Sequence, residues 1–273
     1  MNTILVPVDF SANSLQAVSY AMKLADKLKA KIELLHVYMV PSNEKNNLLG
    51  TLLYGDTDIK TIAEKKIFAL AKKYTGKIKV TYSLMDGIPG VCITDHAAKI
   101  KADLIIIGRT GKGSIKRFMT GSTTIQVIRR AKSKVLVIPA STHFKPYKRI
   151  IFATDMKNDN LKFANAAAQF AKLFNAELLF LYVDNRFMIH SDEEISAMTA
   201  KIRSRTKYKK ISGYVCSEMS TQEGISYFLK HEKADLLTVV SRHHPYPEAL
   251  WSKSVSRKIA QNITIPMLVF EKL

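Results

Sequence analysis

Apolar positions follow two alternating rhythms along the 273-residue chain, short unbroken runs and longer stretches at helical spacing. TILVPV at 3–8 is a β-branched run followed by a turn at Asp9, Phe10 and Ser11, and predicts a buried strand. From Ser14 to Leu28 the residues Leu15, Val18, Ala21, Met22, Ala25 and Leu28 return on one side of a helix that covers the sheet. The rhythm then continues through strand KIELLHV, a helix over 59–74, strand KIKVTYS, a helix over 90–100, strand DLIIIG, a helix over 121–131 and strand KVLVIP. Strands alternating with helices predict a parallel sheet with right-handed crossovers. Residues 40–58, with Pro41, Asn43, Asn46, Asn47, Gly50 and Gly55, break the pattern and read as a flap or a plain surface loop.

The pattern occurs twice. ILVPVD at 4–9 answers to IIFATD at 150–155, an offset of 146 that also carries Ala21 to Ala167, Ala25 to Ala171, Ala30 to Ala176 and LLHV at 34–37 to FLYV at 180–183. Later, ADLIIIG at 102–108 answers to ADLLTVV at 234–240 at an offset of 132, which also carries Leu136 to Leu268. The second copy is therefore about fourteen residues shorter after its second apolar run. Length gives the same count, since about 150 residues per domain predicts roughly two domains. The boundary falls in STHFKPYK at 141–148, with one domain over 1–143 and the other over 147–273. The predicted fold class is α/β, two tandem open parallel five-stranded sheets with helices on both faces.

Composition excludes disorder, collagen-like repeats and disulfide scaffolds, with 47% hydrophobic and 24% charged residues. Cys92 and Cys216 match no paired metal or redox spacing and read as small core residues. The opening MNTILVPVDFS lacks a basic region before its apolar run, and no stretch approaches the roughly 18 apolar residues of a membrane span. The expectation is a cytoplasmic protein with no membrane partner. The charge is unusual, with 42 basic against 23 acidic residues and a net +19, so the surface should attract anions. Through residue 145 the balance is 23 to 10, and beyond it 19 to 13, so the excess is concentrated in the first half.

The chemistry is carried by glycines. Gly108 ends strand DLIII, Gly111 follows three residues later, and KGSIKRFMT separates it from Gly121, which leads into Ser122, Thr123 and Thr124. Glycines permit close backbone approach, and a helix opening at Gly121-Ser122 offers free amides and a positive dipole end to phosphate. Ligands in open α/β sheets gather at the carboxyl ends of strands, where Asp9, Val37 and Gly108 fall. Gly111-Lys112 is followed by Gly113 rather than Ser or Thr, so this is no Walker loop. The first strand is followed by Asp9 rather than GxGxxG, which disfavours a dinucleotide dehydrogenase. Lys112, Lys116 and Arg117 lie inside the glycine loop and either meet phosphates or stay solvated.

The opening strand ending in Asp9, the segment ADLIIIGRTGKGSIKRFMTGS and the closing strand KVLVIP resemble a universal stress protein of the tandem type. The resemblance implies strand order 3-2-1-4-5, pairing of fifth strands between the two domains, and ATP or another adenine nucleotide as ligand, with or without Mg. It places Asp9, beside Val8, and the backbone of Val37 at the adenosine. It places Gly108, Gly111, Gly121 and Ser122 at the ribose and phosphates, with Ile107 and Thr123 beside them. A plainer reading of Asp9 is a carboxylate that caps the following helix.

The second half departs from the motif. Gly108 becomes Val240, Gly111 becomes His243 and Gly121 becomes Lys253, while Ser122 is kept as Ser254. Only the first domain is expected to hold the nucleotide, the second serving as an internal partner. His243-His244, with His231 upstream, lacks a carboxylate at ligand spacing and reads as a loop rather than a metal site. Phe118, Tyr246 and Trp251 read as packing residues. The functional expectation is a nucleotide-dependent regulatory or interaction module, with further homo-oligomerisation left open. One alternative is a slow ATPase or autophosphorylating enzyme using the hydroxyls of Ser122 or Thr124. The other is polyanion or nucleic-acid binding through Lys201, Arg203, Arg205, Lys207, Lys209 and Lys210, a run that otherwise reads as a solvated helix face.

Overall fold

The computed structural model describes residues 1–39, 56–74, 76, 78–109, 122–154, 160–184, 192–217, 220–241 and 264–271. The chain divides into two compact units, Met1–His143 and Phe144–Leu273.

In the first unit β1 (Thr3–Pro7) is buried at every position, as its unbroken apolar run requires. It is followed by α1 (Ala12–Leu28), β2 (Lys31–Tyr38), α2 (Asp56–Lys73), β3 (Val80–Asp86), α3 (Pro89–Lys99), β4 (Leu104–Gly108), α4 (Ser122–Arg130) and β5 (Lys134–Ile138). The strands are ordered β3-β2-β1-β4-β5, and the pairs within this unit are parallel. Because the order runs outward from β1 to β3 and then jumps back to β4, right-handed crossovers place helices on both faces.

The buried side of α1 consists of Ser14, Ala17, Val18, Tyr20, Ala21, Leu24 and Ala25. Leu15, expected in the core, is 37% exposed instead. Ser11 caps this helix by accepting from the Ser14 amide, and small residues at 17, 21 and 25 let the helix lie close to the sheet, which fixes its phase. The third strand also lies later than KIKVTYS suggests, because β2 supplies partners as far as Tyr38, paired with Asp86. The irregular stretch expected over 40–58 gives way to α2 at Asp56, and residues 40–55 lie outside the described residues.

The second unit repeats the plan with β6 (Arg149–Thr154), α5 (Asn160–Phe174), β7 (Glu177–Asp184), α6 (Asp192–Thr206), β8 (Ile211–Ser217), α7 (Thr221–Glu232), β9 (Leu236–Ser241) and β10 (Met267–Glu271). Its order is β8-β7-β6-β9-β10, again parallel. The copies agree in detail. Lys29 and Asn175, at the ends of the first helix of each unit, both turn left-handed with φ of 54° and 55°. Asp103 Oδ2 accepts the amides of Asn2 and Thr3 at 2.8 and 3.0 Å, and Asp235 Oδ2 accepts those of Lys148 and Arg149 at the same two distances. The repeated Ala-Asp pair thus ties the entry of each unit's first strand to the entry of its fourth. Among the described residues, no helix is long and apolar enough to cross a membrane.

Candidate functional site

The carboxyl ends of β1, β2 and β4 meet the amino ends of α1, α3 and α4 around a cavity of about 230 Å³. Val8 and Asp9 line it from beyond β1, Leu35 and Val37 from β2, Ile107 and Gly108 from β4, and Thr123 and Thr124 from α4. Three helix amino ends therefore converge on one opening, a field that favours an anion.

Each wall has a local cause. Leaving β1, the Val8 amide donates to the Leu35 carbonyl at 2.8 Å, and His36 Nδ1 donates to the Val8 carbonyl at 2.7 Å. Phe10 then adopts φ 62°, a conformation costly for a bulky residue, and its ring packs 4.8 Å from that of His36. Alternation along β2 sends Leu35 and Val37 into the cavity and His36 to the other face. The turn after Asp9 is held by its own side chains. Asp9 Oδ1 accepts the Ser11 amide at 2.9 Å, and the Asp9 amide donates to Ser14 Oγ at 3.3 Å. Burial alone would raise the Asp9 carboxyl, but the Ser11 and Ser14 hydroxyls and the Ser11 amide outweigh it and hold the group below its ordinary range. The helix cap is Ser11, so Asp9 is not the cap that the plainer reading supposed.

Gly108 is required by space. A Cβ there would stand 2.8 Å from the Asn13 carbonyl carbon and 3.3 Å from the Ser14 nitrogen, both backbone atoms that cannot move aside. α3 and α4 also meet closely at Gly90, where a Cβ would lie 2.6 Å from that of Gln126. This contact brings Pro89 and Thr124 to the same cavity.

Of the residues read as site residues, Val8, Asp9, Val37, Ile107, Gly108 and Thr123 share this cavity. Ser122 opens α4 as expected, but its side chain, together with Gly111, Gly121, Lys112, Lys116 and Arg117, lies outside the described residues. His243, His244, Tyr246, Trp251, Lys253 and Ser254 lie outside them as well. Sequence reasoning missed Asn13, Pro89 and Ile93, which line the cavity from helix amino ends. Pro at the first position of a helix was the available signal for Pro89.

The Universal stress protein family model matches residues 1–139 and again 146–271. This chain belongs to that family. A universal stress protein of Methanocaldococcus jannaschii is 31% identical over 141 residues, 50% of this chain and 80% of its own length. The crystal structure of a universal stress protein from Archaeoglobus fulgidus superimposes with a TM-score of 0.80 at 19% identity, covering 99% of this chain and 98% of its own. That likeness establishes the tandem fold. A universal stress protein solved in complex with cAMP aligns over 47% of this chain at 19% identity, with a TM-score of 0.40 and all of its own chain covered. In this tandem universal stress protein, Val240 occupies in the second unit the register of Gly108 in the first: Gly108 stands beside Ile138 and Val240 beside Phe270.

Proposed function

We propose that the first unit binds an adenine nucleotide, ATP or a close relative, and that the second unit does not bind one in the same way. In this reading Val8, Asp9 and Val37 meet the adenosine, while Ile107, Gly108, Thr123 and the loop residues Gly111, Gly121 and Ser122 meet the ribose and phosphates, with or without Mg. The protein acts as a cytoplasmic interaction module whose surface depends on nucleotide occupancy, and further association of chains is open to it.

The observation that carries the reading is that Val8, Asp9, Val37, Ile107, Gly108 and Thr123 line one cavity beneath three helix amino ends. Support for the inequality of the units comes from Val240, whose branched side chain replaces the glycine that permits backbone contact at Asn13. Equilibrium dialysis of labelled ATP against the full chain tests both parts. One nucleotide per chain is expected, abolished in Gly108→Val. Two per chain overturns the reading of the second unit, and none overturns the nucleotide. Mass spectrometry of whatever the denatured protein releases identifies the ligand.

A further inference from the structure

The second unit carries a cavity of about 580 Å³ at the end where its own strands begin. Its volume lies within the usual range of small-molecule sites, roughly 300–1,000 Å³. Its walls are basic. Lys148 comes from the entry to β6, Arg203 from the last turn of α6, and Lys209 and Lys210 from the entry to β8.

Two of these cations are anchored to the backbone. Arg203 donates from Nε to the Ile211 carbonyl at 3.1 Å, and Lys210 donates from Nζ to the Asn175 carbonyl at 3.2 Å. Lys210 thereby offsets a carbonyl just past the carboxyl end of α5, whereas Arg203 ties the last turn of α6 to the first residue of β8. Lys148 and Lys209 go beyond that need, since both are exposed and neither ammonium has a hydrogen bond or ion pair among the described residues. Glu177, the carboxylate among the lining residues, is already engaged by Arg149 Nε at 3.1 Å. Among the described residues, the cavity therefore presents two lysine ammoniums that have no hydrogen-bonded or ion-paired partner.

The aromatic residues decide what kind of anion fits. Tyr147 and Phe174 line the cavity, but their rings pack on each other at 4.7 Å, and Phe170 meets them at 5.8 and 5.2 Å. Tyr147 is only 2% exposed. Single-stranded nucleic acid draws much of its affinity from stacking on free aromatic faces, and a buried Tyr147 with a half-buried Phe174 leaves little such face. Lysines recognise phosphate as point charges and need no ring to do so.

We propose that this cavity binds a linear oligophosphate, a chain of phosphoryl groups held by Lys148, Arg203, Lys209 and Lys210. The site is independent of the adenine cavity in the first unit. The test is calorimetric titration of the full chain with sodium tripolyphosphate, a probe that carries no base. A saturable component is expected to weaken at least about tenfold in Lys148→Gln/Lys209→Gln, a loss of about 1.4 kcal/mol. The same component should survive in Lys23→Gln/Lys27→Gln, which removes equal charge from exposed positions on α1.

Binding unchanged in the cavity variant, or weakened equally in both variants, overturns the proposal. Loss of the component in Gly108→Val instead assigns it to the first unit and also overturns it. A single-stranded oligonucleotide that displaces tripolyphosphate at a lower phosphate concentration overturns the choice of ligand. Neither ammonium has a partner among the described residues, so the variants are expected to fold, and a circular dichroism melt matching the wild type verifies this.

Discussion

Gly108 lies against the backbone of Asn13 so closely that a Cβ would stand 2.8 Å from its carbonyl carbon. The two residues join the end of β4 to the first turn of α1, so the close approach shapes one corner of the cavity. Gly108→Ala is expected to destabilise the first unit by about 1–3 kcal/mol through overpacking. The loss is read from chemical denaturation, and ATP affinity should fall with it. An alanine variant as stable as the wild type would show that α1 can shift at no cost. The second unit already has a side chain at this register, and Val240→Gly should not create an ATP site there, because one glycine does not restore the whole loop.

Asp103 and Asp235 each hold two strand-entry amides, one pair in each unit. Replacing either with Ala removes two charge-assisted acceptor bonds and is expected to cost about 1–2 kcal/mol. Amide hydrogen exchange distinguishes the sites. Asp103→Ala should speed exchange at Asn2 and Thr3, and Asp235→Ala at Lys148 and Arg149.

These aspartates also show what was legible in the sequence. Both stand in the repeated ADL segments, so their equivalence is visible, but a bond from Asp103 to Asn2 spans 101 positions and leaves no periodic trace. The same limit explains the site. Asp9, Val37 and Gly108 lie at or just beyond the carboxyl ends of strands, and strand ends are predictable from apolar runs. Pro89 and Ile93 reach the cavity because Gly90 lets α3 lie close to α4, a contact that no local pattern encodes. Leu15 illustrates the reverse error. Its spacing suits the buried side of a helix, yet the alanines of α1 set the phase and leave it exposed.

Acid sensitivity should follow from Asp103 and Glu33 in the first unit, in addition to Asp9. Burial pushes Asp103 up, but the amides of Asn2 and Thr3, the terminal ammonium and Lys134 outweigh it and hold it below its ordinary range. Glu33 is likewise raised by burial and brought below its ordinary range by His96, Ser83 and Thr81; Ser83 Oγ donates to it at 2.6 Å and His96 Nε2 at 3.4 Å. Depressed folded values mean that the unfolded chain takes up protons first. The stabilisation is complete above the ordinary carboxylate range and is lost as pH falls through the folded values. Urea denaturation between about pH 5 and about pH 2 should therefore show falling stability, with a shallower slope in Asp103→Asn and in Glu33→Gln. A carboxyl NMR titration of His96→Gln should place Glu33 higher than in the wild type.

The contact between Gly90 and Gln126 sets two opposing effects against each other. Alanine in place of glycine within a helix favours the helix by up to about 1 kcal/mol. Here the new methyl would lie 2.6 Å from the Gln126 Cβ, and overpacking of that kind costs about 1–3 kcal/mol. Steric cost outweighs propensity, so Gly90→Ala should destabilise the protein. It should also move the amino end of α4, with Thr123 and Thr124, away from the cavity, so ATP affinity should fall with stability. Shortening the partner to Gln126→Ala removes the side chain's outer atoms but keeps its Cβ. The double variant should therefore recover only part of the loss, whereas Gln126→Gly should let the helix-propensity gain appear. A double-mutant cycle by thermal denaturation, with ATP titration of each variant, reads the coupling between the two positions. A cycle that closes to zero would mean that α3 and α4 approach each other without this contact, and Gly90 would then have no part in placing Thr123 and Thr124.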